Sequence, residues 1–180
     1  VTTHIVTGSA EQVILDVDLL KAGPASQRTS ALVEVLSIVT AMMDWGYAAQ
    51  KGKLAADEAF YPWAAGLAAG IAQQAIKSAA AIGKGDSEGF KTLVGLLAMT
   101  VQIDNLLGHH RVSAGAEHIF AQAAGMTAST ASLPHAERVA PGILLSAALH
   151  NRDVGGLRVA LEAGGVRFNQ IRKADILSLL

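Results

Sequence analysis

There is no cysteine in these 180 residues. That excludes a disulfide framework and any thiolate metal site, and it fits a reducing compartment such as the cytoplasm. Aromatic residues make up only 4% of the chain, against 51% hydrophobic residues in all. The apolar material is therefore Ala, Leu, Val and Ile, and an alanine-rich chain of this kind favours helix. Neither sign of charge is in excess. The formal net charge is −1, which leaves no basic footprint for nucleic acid. There is no uninterrupted run of about 20 apolar residues, the length a bilayer span requires. The stretch WAAGLAAGIA is broken by glycine and soon meets Gln73, Gln74 and Lys77. The opening residues, VTTHIVTGSAEQ, lack the basic segment and apolar run of a signal peptide. A cytoplasmic chain is expected, with neither nucleic acid nor membrane as partner. Mean hydropathy is nonetheless +0.37, which reads as a buried helix bundle or as a face that meets a partner.

What is present is mostly helical periodicity. Leu32, Val35, Leu36, Val39, Met42 and Met43 recur at three- and four-residue steps, predicting one amphipathic helix from Ser30 to Gly52. A second is expected from about Ala55, with Asp57 and Glu58 in its first turn. Others are expected over 66–81, 90–105, 116–124, 134–149, 154–163 and 168–180. Between them lie a turn at 83–86, a loop at 108–115 and a polar linker at 126–133. Only residues 1–23 carry a β-like pattern, at His4-Ile5-Val6-Thr7 and Val13-Ile14-Leu15. The expected fold is all-α, a bundle of about seven or eight helices behind a short β-like lead-in. The division is 1–23 for the lead-in and 24–180 for a helical metal-binding domain. Nothing alternates strand and helix around a glycine-rich phosphate turn, so no nucleotide-binding domain is expected within these residues.

The chemistry concentrates in GHHRVSAGAEH, Gly108 to His118, and in PHAERVAPG, which holds His135. His118 sits on a helix beside Glu117, and His135 at the start of the next helix. Glu34 lies among apolar residues in LVEVLSIV, where a carboxylate is costly to bury unless paired or metal-bound. Two imidazoles and a carboxylate suit an open site for a first-row divalent metal. The competing readings are a core histidine satisfied by a carbonyl, a solvated cap residue and a glutamate on an exposed stripe. His109 and Arg111 are candidates to bind an anionic group of the substrate. Glu117, Glu137 and His110 are candidates to move protons near the metal.

These stretches resemble glycerol-1-phosphate dehydrogenases, of the superfamily that also holds iron-containing alcohol dehydrogenases and dehydroquinate synthase. GHHRVSAGAEH is similar to the family's G-S-S-R-P-A-S-G-x-E-H, and PHAERVAPG to its H-G-E-q-V helix start. VILDVDLLKAGP and SALVEVLSIVTAMMDW resemble its lead-in and first helix of the helical half, in the same order. The resemblance implies an all-helical C-terminal domain with a divalent metal (Zn, Fe or Ni) held by an aspartate and two histidines. Those positions fall on Glu34, His118 and His135. It also implies NAD(P) chemistry on a small alcohol or polyol phosphate. That requires a nucleotide-binding partner chain, and a homo-oligomer is a further possibility. The sequence departs from the pattern at Glu34 for aspartate, at Ala31 and Val33 for glycine, at Gln122 for histidine and at Ala136 for glycine. Two alternatives therefore stand beside the dehydrogenase half. One is a stand-alone lyase, isomerase or cyclase that uses the metal, and the other is a binding module without catalysis.

Overall fold

A computed structural model describes residues 12–179. Among them are nine helices and no strand. The short α1 (Val17–Ala22) starts where the Asp16 carboxylate accepts from the Leu19 N–H at 2.9 Å, an N-cap in the usual sense. It stops at Gly23-Pro24. The β-like lead-in does not appear there. Val13 and Ile14 are exposed and irregular, and no strand lies among the described residues for so short a run to pair with. His4 to Thr7 lie outside the described residues.

The helix expected from Ser30 to Gly52 begins five residues earlier and is broken in two. Pro24 opens α2 (Ala25–Leu36), and α3 (Ile38–Gln50) follows after Ser37. The Ser37 hydroxyl lies 2.8 Å from the Glu34 carbonyl and 3.0 Å from the Ser113 carbonyl, at the break. A serine bonding back onto the preceding turn bends a helix in this way. Residues 51–61 are loop, so no helix begins at Ala55. Glu58 instead turns inward, with its backbone carbonyl accepting from Trp45 Nε1 at 2.9 Å. Trp45 is fully buried and meets Phe60 edge-on at 4.7 Å. That anchor outweighs the helix propensity of the loop.

Pro62 then starts the long α4 (Pro62–Lys84), as proline does at a first helical position. Ala64, Ala68, Ala72, Ala75 and Ala79 make its buried stripe, small enough to let α2, α5 (Ser87–Leu107) and α8 (Gly155–Ala163) close on it. The α5 helix ends at Gly108, with φ of 74°. After a loop come α6 (Ala116–Met126), α7 (His135–Leu149), α8 and α9 (Lys173–Leu179).

The α6–α7 pair forms the tightest crossing near the histidines. A Cβ at Gly142 would stand 2.8 Å from the Glu117 carbonyl oxygen and 2.9 Å from its Cα, so only glycine allows this approach. The stretches Ala25–Gln50 and Ser87–Leu107 are long and apolar enough, by length and composition, to cross a membrane. Their most apolar windows are 50% and 33% buried against the rest of the fold.

Candidate metal centre

Glu34 projects from the last turn of α2, His118 from the first turn of α6 and His135 from the start of α7. One ligating atom from each lies within 4.8 Å of the other two. His118 Nε2 is 3.2 Å from Glu34 Oε2, and His135 Nε2 is 3.3 Å from Glu34 Oε1. The two rings stand 5.5 Å apart between centroids. Metal–ligand bonds of about 2.0–2.2 Å place neighbouring ligand atoms some 3–3.5 Å apart in a tetrahedral site. The two carboxylate–imidazole separations match that spacing, whereas the widest separation among the three ligand atoms, up to 4.8 Å, would have to contract. The donor set of two imidazoles and a carboxylate suits a divalent metal.

What aims His118 is Glu117, which is completely buried. Its Oε1 is 3.0 Å from His118 Nδ1 and accepts from the Gly115 N–H at 2.6 Å. Its Oε2 accepts from the Thr40 hydroxyl at 2.7 Å. A carboxylate on one ring nitrogen fixes the tautomer and presents the other nitrogen to a metal. Burial penalises the charged His118 ring. The hydrogen bonds and negative charge of Glu117 and Glu34 outweigh it and raise the pKa to about 9. Burial likewise opposes a charged Glu34. Hydrogen bonds and attraction from His118 and His135 prevail and hold it at about 2.

The loop before α6 is held from below by α3. The Asp44 Oδ2 accepts from the Ala116 N–H at 2.7 Å, and its Oδ1 meets His150 Nε2 at 2.7 Å. Gly115 is wedged between them. A Cβ there would sit 2.5 Å from Asp44 Oδ2 and 2.9 Å from the Ala41 Cα.

No protein-family model matches the chain. It is 30% identical to the glycerol-1-phosphate dehydrogenase [NAD(P)+] of Pyrococcus horikoshii over 154 residues, which is 85% of this chain and 43% of that enzyme. The enzymes of the same name from Aeropyrum pernix and Methanothermobacter thermautotrophicus are each 30% identical, over 88% and 89% of this chain. The chain belongs to the glycerol-1-phosphate dehydrogenase superfamily. It spans less than half the length of these curated relatives, 43–45%, and is similar to their C-terminal helical part.

Of the remaining candidates from these motifs, only His110 stays beside the candidate ligands. Arg111 turns away to Glu58, at 2.7 Å. His109 packs edge-on against Trp45 at 5.3 Å, with its Nδ1 accepting from the Arg111 N–H at 3.2 Å. Glu137 is buried and paired with Arg167. His110 is largely exposed, and its Nδ1 lies 3.0 Å from Asp104 Oδ2. Gln122, which stands where the family often has a further histidine, is exposed on α6.

A cleft of about 370 Å³ opens directly beside the candidate ligands. Glu34 and His118 line it together with Asp104, His110 and Ser113. Asp104 falls at the end of the helix expected over 90–105, and nothing in the motifs marks it, Thr40 or Ser113 as functional. A signal was present: Glu34, Ser37, Thr40 and Asp44 recur every three or four residues as a polar stripe on the α2–α3 rod.

Proposed function

We propose that this chain is the metal-binding helical half of an NAD(P)-dependent oxidoreductase acting on a small alcohol or polyol phosphate, with Glu34, His118 and His135 as the metal ligands. The observation that carries the reading is the convergence of three ligand atoms, from three separate helices, within 4.8 Å. The relatives, named as NAD(P)+-dependent glycerol-1-phosphate dehydrogenases, support the reaction class. The nucleotide-binding part lies outside these 180 residues, on a partner chain or a further segment, and the cytoplasm is the compartment a cysteine-free chain suits.

A bound divalent ion would act as a Lewis acid on the substrate oxygen. The chain's own residues do the rest. Glu117 holds the His118 Nδ1 proton, so that Nε2 is the nitrogen turned toward Glu34. Thr40 and the Gly115 N–H hold Glu117 in turn. Glu34 spans the two imidazoles, one carboxylate oxygen toward each. The neighbouring cleft gives a small substrate a place against Glu34 and His118.

The test is metal content. The purified chain, dialysed against zinc and then against metal-free buffer, should retain about one ion. Glu34→Ala, His118→Ala and His135→Ala should each lose most of it, while Glu34→Asp, which restores the family's residue, should keep it. A wild-type chain that takes up no ion, or three alanine variants that retain it equally, would sink the assignment.

A further inference from the structure

Met43, Tyr47 and Gln50 follow one another at four- and three-residue steps on one face of α3, with Met42 beside them. His150 and Arg152, just past the end of α7, close the other side of a cavity of about 390 Å³. It shares no residue with the cleft beside the candidate ligands. Periodicity reads Met42 and Met43 as core, yet both are only partly buried, and Tyr47 is 53% exposed. The Tyr47 ring meets the His150 ring edge-on at 5.9 Å, and the Lys51 ammonium lies 5.4 Å from its centroid. Arg152 is exposed and makes no ion pair among the described residues. The carboxylates around it are engaged elsewhere. Asp44 holds His150 Nε2 and the Ala116 N–H, and Asp153 holds the Gly155 N–H.

We propose that this cavity binds a small aromatic carboxylate. The charge of its wall has one sign: Arg152 lines it, and no aspartate or glutamate does. A guanidinium is a planar fork that matches the two oxygens of a carboxylate, and the Gln50 amide offers a further donor. Lys51, on the outer face of Tyr47, adds to the positive field. The rest of the wall suits a flat, polarisable body, because thioethers and aromatic rings pack well against a ring. Phosphate is the poorer match. The backbone N–H groups of His150, Asn151 and Arg152 already bond the carbonyls of Ser146, Ala148 and Ala147, so they form no anion nest. The volume lies at the lower end of small-molecule sites, roughly 300–1,000 Å³, and holds one ring with a short acid arm. The site stands apart from the candidate metal centre and needs no metal.

The four methionines supply the experiment. Met42 and Met43 line the cavity, whereas Met99 and Met126 are exposed elsewhere. The full chain, metal-free and labelled at the methionine methyls with ¹³C, is titrated with benzoate and followed by NMR. Met42→Leu and Met43→Leu identify the two signals. Benzoate should move them saturably, with a midpoint on the order of a millimolar for so small a ligand, and leave the signals of Met99 and Met126 in place. Arg152→Gln should weaken binding about tenfold, the order expected for a lost charged hydrogen bond. Unmoved Met99 and Met126 signals in that variant report that it is folded. Benzamide, the neutral isostere, should also bind about tenfold more weakly. Inorganic phosphate should leave all four signals in place. The proposal is overturned if all four methyls drift linearly together, or if Arg152→Gln keeps the wild-type midpoint. It also falls if benzamide matches benzoate, which would mean an apolar pocket that ignores charge, or if phosphate saturates first, which would mean an anion site that ignores the ring.

Discussion

Thr40 and Glu117 are 77 positions apart in the chain, yet the Thr40 hydroxyl donates to Glu117 Oε2 at 2.7 Å in a fully buried contact. Through it, α3 governs a histidine on α6 that it does not bond directly. Thr40→Val keeps the shape and removes the donor. It should cost about 1–3 kcal/mol, the penalty for leaving a buried acceptor unsatisfied. Urea denaturation of the metal-free chain checks this, and an unchanged midpoint would refute it.

Glu117→Gln probes the same carboxylate from the other side. Its amide oxygen can still accept from the Gly115 N–H and His118 while its NH2 donates to the Thr40 hydroxyl, but the negative charge that holds the His118 Nδ1 proton is gone. Zinc affinity should fall about 10- to 100-fold, as when the partner of a ligating histidine is lost. Competition with a chromophoric chelator measures it. An affinity within twofold of wild type would mean that Glu117 does not steer the ring.

Gly142→Ala should destabilise the chain by about 1–3 kcal/mol, since its Cβ would press on the Glu117 backbone, which cannot yield as a flexible side chain would. For a domain of this size that is roughly 2–4 °C of Tm per kcal/mol. Scanning calorimetry gives the answer, and a neutral result would show that the α6–α7 crossing is looser than described.

The pH dependence follows from two shifts of opposite direction. The raised His118 pKa contributes stability that is complete below about 6.5 and is lost as pH climbs through about 9. The lowered Glu34 pKa contributes stability that is present above 4.5 and is lost as pH falls toward about 2. The metal-free chain should thus lose stability from pH 6.5 to 9, and His118→Ala should flatten that slope. Over the same range an incoming ion must displace the His118 proton. Apparent zinc affinity should rise about tenfold per pH unit, a slope of one proton. Calorimetric titrations in buffers of different ionisation enthalpy count that proton, and zero release at pH 7.5 would contradict the assignment.

Much of this was legible in the residues. The 3.6-residue period from Leu32 onward, proline and glycine at helix ends and the E-H pair of GHHRVSAGAEH lead to the bundle and to its three converging side chains. The places that misled share a cause, which is that distant contacts overrode local pattern. Trp45, reaching the Glu58 carbonyl, keeps 51–61 out of helix. Ser37, bonding both its own turn and Ser113, splits what periodicity reads as one rod. Asp104 does stand at the end of its helix, but nothing local says that Ser113 and His110 will fold back onto it.

The bend at Ser37 leaves a ladder of four rungs along one side of α2 and α3. Glu34 reaches His118, Ser37 the Ser113 carbonyl, Thr40 the Glu117 carboxylate and Asp44 the Ala116 N–H. Six consecutive residues, 113–118, are therefore registered against a single rail. Tilting that rail would shift Glu34, the Glu117 carboxylate that orients His118, and the loop beneath the cleft together. Whatever leans on α2 or α3 from outside thus has mechanical leverage over the candidate metal centre without touching it.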